Sequence, residues 1–283
     1  MSLAKIVDSP VRSPTYIQPD SFGTYLSAQQ RYGLFLDIDG TLAEFTLNPS
    51  DSFIPHATLM LLEQIQSEGV PIAVVTGRSL TEARQMLSPL QLPIAATHGL
   101  EIAVNGDTTS TTQVNNSELT AIKQAVVNSC QPYGELMIED KPYSVALHFR
   151  QCPSLAKTTF TIMLNALNAY PNWALKQGEY VWEIVPKGVN KGSAILTILN
   201  ALPTADKVCP IFIGDDVTDE AGFSVVQGNE LIADNLTNKD LKKDATFIEG
   251  MGIKVGLKPT CARFYVRDIQ EVTILLKSFL DFC

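Results

Sequence analysis

The chain has 283 residues, 45% hydrophobic and 18% charged, an ordinary globular composition with room for one large domain or two modest ones. A formal net charge of −9 argues against nucleic acid or an anionic membrane as the main partner. An anionic small substrate stays open, because a bound divalent cation reverses the local field. The five cysteines (Cys130, Cys152, Cys209, Cys261, Cys283) contain no Cys-x-x-Cys pair, which speaks against a zinc site or a redox pair. No apolar run approaches membrane-spanning length and the N-terminus lacks signal-peptide order, so the expected location is the cytoplasm.

Residues 1–30 carry Pro10, Pro14 and Pro19 among scattered polar residues and read as a loosely ordered lead-in with room for a short helix before the first strand. An apolar β-type run, Leu34-Phe35-Leu36, then ends in Asp37-Ile38-Asp39-Gly40-Thr41-Leu42. Pro55 suits the first turn of a helix, with Leu59, Leu62 and Ile65 at helical spacing until Gly69. Residues 71–75 form a buried strand ending in Thr76-Gly77-Arg78, and Ser79 with Glu82 is a capping box for the next helix. A further strand over 92–97 closes in His98-Gly99. Strand, helix, strand, helix, strand at these spacings predicts a parallel α/β sheet.

The pattern then changes. A polar stretch over 105–116 reads as an exposed hairpin or linker. Helices near 118–130 and 154–169, and strands over 136–139, 143–149, 173–176 and 180–185, make an antiparallel sheet backed by two helices. Asn190 caps a helix, and the strand over 209–213 ends in Gly214-Asp215-Asp216-Val217-Thr218-Asp219-Glu220. Shorter strands near 245–248 and 263–266 and a final helix opened by Asp268 follow. The parallel pattern thus resumes after an insertion, giving a core domain over 31–110 and 187–283 and an inserted domain over 111–186.

Three motifs fall at the C-terminal ends of predicted parallel strands, where open α/β sheets bind ligands: Asp37-x-Asp39, Thr76-Gly77-Arg78 and Gly214-Asp215-Asp216. Alternation along a strand turns Asp37 and Asp39 to one side. Asp37 and Asp215 offer hard oxygens for Mg²⁺, together with a main-chain carbonyl that is most naturally that of Asp39. Mg²⁺ lets a carboxylate nucleophile, Asp37, approach a phosphate dianion. Thr76 and Lys191, the latter at a helix start, can donate to phosphoryl oxygens. Asp39 can protonate the departing oxygen and later activate water. Asp216 and Asp219 serve either as helix caps and supports behind the ligands or as further ligands, and His98 is a candidate support beside them.

These residues give the chain a resemblance to the haloacid dehalogenase superfamily. Asp37 to Leu42 matches its first motif, Thr76 its second, Lys191 its third and Gly214-Asp215-Asp216 its fourth. The resemblance implies a Rossmann-like core with a parallel sheet plus an inserted α/β cap, placed between the second and third motifs. A narrower likeness, to the trehalose-phosphatase family, rests on Thr76-Gly77-Arg78, His98-Gly99-Leu100-Glu101, Ala146-Leu147-His148-Phe149-Arg150, the run from Glu183 through Lys187 to Gly192, and Gly214 to Glu220. It implies hydrolysis of trehalose 6-phosphate, a cap that closes over the disaccharide, Lys141, Glu183 and Lys187 on the distal glucose, and Arg78 near the phosphate-bearing sugar. Phe149 departs from the tyrosine more usual there. The chain is expected to act as a monomer on a small sugar phosphate, with neither nucleic acid nor a membrane as partner. The competing expectations are a phosphatase for another sugar phosphate such as sucrose phosphate, a phosphosugar mutase, and a non-catalytic sensor of the same fold.

Overall fold

A computed structural model describes residues 13–46, 51–104, 107–110, 115–178, 180–202, 208–228 and 249–283. The chain divides into two compact units, one of Met1–Thr111 and Asn190–Cys283, the other of Thr112–Val189.

Among the described residues the first unit is built on a nine-stranded sheet. Its strands are β1 (Thr15–Tyr16), β2 (Arg31–Leu36), β3 (Ile72–Val75), β4 (Ile94–Ala96), β5 (Glu101–Val104) and β6 (Asp107–Ser110), then β11 (Val208–Gly214), β12 (Met251–Val255) and β13 (Phe264–Val266). The order is β1-β13-β12-β11-β2-β3-β4-β5-β6, parallel from β1 to β4, with β5 and β6 antiparallel at one edge. The order reverses between β2 and β11, where Leu36 pairs with Ile213, so a crevice forms beyond the carboxyl ends of these two strands.

Both faces of the sheet are covered, which is why its central strands read as continuous apolar runs. On one face Leu34, Leu36, Val74, Ile211 and Ile213 pack with α1 (His56–Ser67), α2 (Leu80–Leu87) and α7 (Ile269–Phe282). On the other, Phe35, Val75 and Phe212 pack with α5 (Lys191–Ala201) and α6 (Glu220–Val226). The helix starts follow their caps: the Ser79–Glu82 box opens α2, Asn190 accepts from the Ser193 N–H at α5, and Asp268 from the Glu271 N–H at α7.

One expectation needs correction, and one strand was not anticipated. The lead-in is not loose where it is described: β1 adds to β13, and a 3₁₀ turn over Pro19–Tyr25 buries Phe22 against Phe279 of α7. A two-residue strand carries no periodicity, so apolar anchors order a segment whose local pattern is weak. Met251–Val255 is a strand that no sequence pattern marked, whereas the one expected at 245–248 lies outside the described residues.

Among the described residues the second unit is a four-stranded antiparallel sheet, β7 (Met137–Asp140), β8 (Val145–His148), β10 (Val181–Pro186) and β9 (Trp173–Gly178) in spatial order. Val145, Leu147, Ile184 and Trp173 face α3 (Asn116–Cys130) and α4 (Ala156–Leu167) and form its core. On the opposite face Glu139, Ala146, Glu183 and Lys176 lie abreast across the four strands.

Candidate active site

Asp37 follows the last residue of β2, and its N–H donates to the Ile213 carbonyl of β11 at 3.0 Å. This places it beside Asp215, the first residue past β11. The chain leaves β2 through Gly40 with φ +75°, and a Cβ there would lie 2.2 Å from the Asp215 carboxylate carbon. No other residue type permits so close an approach of main chain to carboxylate.

Lys191, the first residue of α5, is 2% exposed, and its Nζ lies 2.8 Å from Asp37 Oδ2 and 2.7 Å from Asp219 Oδ1. Asp219 is fully buried. Its other oxygen, Oδ2, accepts from the N–H groups of Asp215 and Asp216, both at 2.9 Å. Asp216 accepts from the Thr218 N–H at 2.7 Å and hydroxyl at 2.6 Å, which makes it the cap of the short turn over Val217–Asp219. The two open roles therefore separate. Asp216 is a cap, and Asp219 is a brace that holds both the lysine and the Asp215 loop.

The electrostatics follow from burial. Burial pushes the Asp37 carboxyl well above the ordinary aspartate range, although Lys191 pulls it back. Burial, then Asp219 and Asp216, raises Asp215 to about 7. Burial alone would lower the Lys191 ammonium, yet Asp219 and Asp37 outweigh it and hold it above the usual lysine value. Asp216 goes the other way: burial opposes ionisation, but Lys191 and the Thr218 hydrogen bonds hold it below the ordinary value.

Asp37, Asp215 and Asp219 each bring a carboxylate oxygen within 4.8 Å of the others. An all-oxygen donor set suits a hard divalent cation. Among these atoms Asp215 Oδ1 is buried with no hydrogen-bond partner, a costly state that a cation would relieve. Asp219 already spends both oxygens on N–H and ammonium donors. Asp37 and Asp215 are thus the carboxylates that fit a cation, with Asp219 behind them.

Asp39 stands apart from that cluster. Its carboxylate takes a two-point fork from Arg78, Nε to Oδ2 at 2.8 Å and NH2 to Oδ1 at 2.6 Å. The fork holds the Arg78 guanidinium above its ordinary value. Thr76 is fully buried at the end of β3, and its hydroxyl oxygen accepts the Arg78 N–H at 3.2 Å, leaving its own hydrogen to donate. The segment over Thr97–Gly99 braces this loop, with the Thr97 N–H on the Arg78 carbonyl and the His98 N–H on the Thr76 carbonyl, both at 2.8 Å. Thr97 and His98 hold positive φ to do so, a strained arrangement for non-glycine residues. His98 also lies against Gly77, where a Cβ would come within 2.6 Å of its ring.

In the inserted unit Glu183 accepts from the buried Ser144 hydroxyl at 2.6 Å and lies 3.3 Å from Lys141 Nζ. Lys141 lies 3.7 Å from Glu139, which in turn meets His148 at 2.9 Å. Lys187 is exposed, so the ammonium beside Glu183 is that of Lys141. Sequence reasoning missed Ser144 and, in the first unit, Lys254 of β12, whose buried ammonium donates to the Asp215 main-chain carbonyl. The signal for Lys254 was present: one lysine between the buried residues Ile253 and Val255.

Comparison with known proteins shows the family of the chain. Residues 35–263 match the family model described as trehalose-phosphatase. The chain is 30% identical over 244 residues to "Trehalose-6-phosphate phosphatase" of Escherichia coli K12, covering 86% of this chain and 84% of that protein. The fold is shared with the Candida albicans trehalose-6-phosphate phosphatase C-terminal domain, with a TM-score of 0.73 and 20% identity over 96% of this chain and 99% of that one. It is also shared with a phosphatase of the haloalkanoate (HAD) enzyme superfamily from Bacteroides thetaiotaomicron, with a TM-score of 0.61 and 12% identity over 90% and 96%. With the matched region spanning most of the sequence and containing every motif of the site, the chain belongs to the trehalose-phosphatase family and is a phosphoric monoester hydrolase built on the haloacid dehalogenase fold.

Proposed function

We propose that the protein hydrolyses trehalose 6-phosphate to trehalose and inorganic phosphate, with Asp37 as nucleophile and Mg²⁺ as the cation. The observation that carries this reading is the buried Asp37 carboxylate, held 2.8 Å from Lys191 and next to Asp215, in a chain of this family.

Asp37 attacks the phosphorus, and the bond from phosphorus to the sugar oxygen breaks. The departing oxygen takes a proton from Asp39. Water then attacks the aspartyl-phosphate, Asp39 accepts its proton, and the phosphorus–Asp37 bond breaks to free phosphate. Lys191 and the Thr76 hydroxyl face the equatorial oxygens as charge gathers there. When bound, the divalent cation neutralises phosphate charge and lowers the repulsion met by Asp37. The fork from Arg78 engages each oxygen of Asp39 once, which leaves a lone pair on each for the proton it exchanges with the substrate.

Lys141, Glu183 and Lys187 are assigned to the sugar that carries no phosphate. A carboxylate beside an ammonium offers an acceptor and donors, which matches hydroxyl groups, and a site built this way rejects substrates lacking them. Arg78 is assigned to the phosphate-bearing sugar.

Phosphate release from trehalose 6-phosphate, sucrose 6-phosphate and glucose 6-phosphate, each with and without Mg²⁺, tests the proposal. Mg²⁺-dependent release strongest with trehalose 6-phosphate supports it. Equal rates on all three would discard the substrate assignment, and no release would leave the sensor reading.

A further inference from the structure

Lys254 lies on β12, in register with Gly214 of β11 on one side and Tyr265 of β13 on the other. Its neighbours Ile253 and Val255 point into the cluster shared with α7, so Lys254 points to the opposite face of the sheet. The residue is 2% exposed. Packing alone does not ask for a cation here. Methionine would fill a similar volume without burying a charge.

The ammonium donates to the Asp215 main-chain carbonyl. The Asp215 N–H is meanwhile held at 2.9 Å by Asp219 Oδ2, which also takes the Asp216 N–H at 2.9 Å. The main chain at Asp215 is thus gripped from both sides by buried charged side chains, each supplied by a different element. What remains adjustable is the Asp215 side chain, whose Oδ1 is buried without a partner and whose carboxylate abuts Gly40. We propose that Lys254 is a positioning residue for the divalent-cation site: by fixing the carbonyl of Asp215 it aims the carboxylate that binds the cation. The inference rests on Asp215 being a cation ligand.

An opposing electrostatic effect makes the test decisive. Removing a positive charge from the neighbourhood of a divalent ion favours binding of that ion, whereas loosening a support behind a ligand weakens it, typically 10–100-fold. The experiment is calorimetric titration of the full chain with Mg²⁺, using wild type, Lys254→Met and Lys254→Gln. Melting and circular dichroism without metal report the fold of each. Positioning predicts a folded Lys254→Met variant whose Mg²⁺ affinity falls about 10-fold or more. It also predicts an intermediate affinity for Lys254→Gln, which keeps a neutral donor.

Unchanged or tighter binding in folded Lys254→Met overturns the inference. So does failure of both variants to fold, which would make Lys254 a requirement of the fold. Asp215→Asn separates the two levels. Lost binding there with native binding in Lys254→Met rejects only the role of Lys254, whereas native binding in Asp215→Asn rejects the cation site itself.

Discussion

Arg78 and Asp39 are joined by two parallel hydrogen bonds although their side chains differ in exposure, 10% for the arginine and 29% for the aspartate. A fork of this kind depends on the planar guanidinium, which lysine does not reproduce. Arg78→Lys is expected to lower kcat/KM about tenfold or more. In a double-mutant cycle with Asp39→Asn the two losses should be non-additive, with a coupling of about 1–3 kcal/mol. Steady-state kinetics of the four proteins measure it, and simple additivity would mean that the pair does not act as a unit.

Asp37→Asn is expected to remove turnover by several orders of magnitude while the fold persists. The amide is of similar size and carries no charge into a buried position. Phosphate release and a thermal melt on the same sample check both halves. Full activity in the variant would exclude Asp37 as nucleophile.

Lys191 sits between two buried carboxylates, so Lys191→Met leaves Asp37 and Asp219 facing each other without their cation. Breaking a buried pair in this way costs about 3–5 kcal/mol. For a chain of this size the expected fall in Tm is on the order of 10 °C. Differential scanning calorimetry without metal reads the shift, and an unchanged Tm would show that the carboxylates take up protons in place of the lost ammonium.

The raised Asp215 value sets a pH dependence. Its folded value of about 7 lies above the unfolded value, so its contribution to stability is full below the unfolded value and is lost as pH rises through about 7. Asp37 is shifted in the same direction. Metal-free protein should therefore lose Tm between pH 6 and pH 8. A ligand that binds only the ionised site restores stability most where the site is ionised. Added Mg²⁺ should raise Tm more at pH 8 than at pH 6, and a metal-induced shift equal at both values would remove Asp215 from the binding equilibrium.

The strand-end motifs were legible because each joins a β-type run to oxygen-bearing residues at fixed spacing. Asp37, Asp39, Thr76 and Asp215 could be placed this way, and Lys191 followed from its cap at Asn190. Asp219 was not resolved between two roles, because its brace depends on how the turn over Val217–Asp219 folds its side chain back beneath Gly214. β12 escaped because Gly252 and Lys254 interrupt its five residues, and lysine is depleted in strands. The contact of Glu183 with Lys141 was not legible, because it depends on the pairing of β7, β8 and β10 that brings the two segments together.

The pairing of Leu36 with Ile213 has a consequence for synthesis of the chain. β2 emerges from the ribosome early, but the strand that completes its crevice follows only after the whole inserted unit has been made. A contact this distant in sequence closes late and slowly. Until then Asp37 has no Asp215 beside it, and the residue we propose as nucleophile lacks the second carboxylate of its site. Truncation before β11 should therefore yield polypeptide without hydrolytic activity, and β2 would present an unpaired edge through most of translation, when chaperone cover matters most.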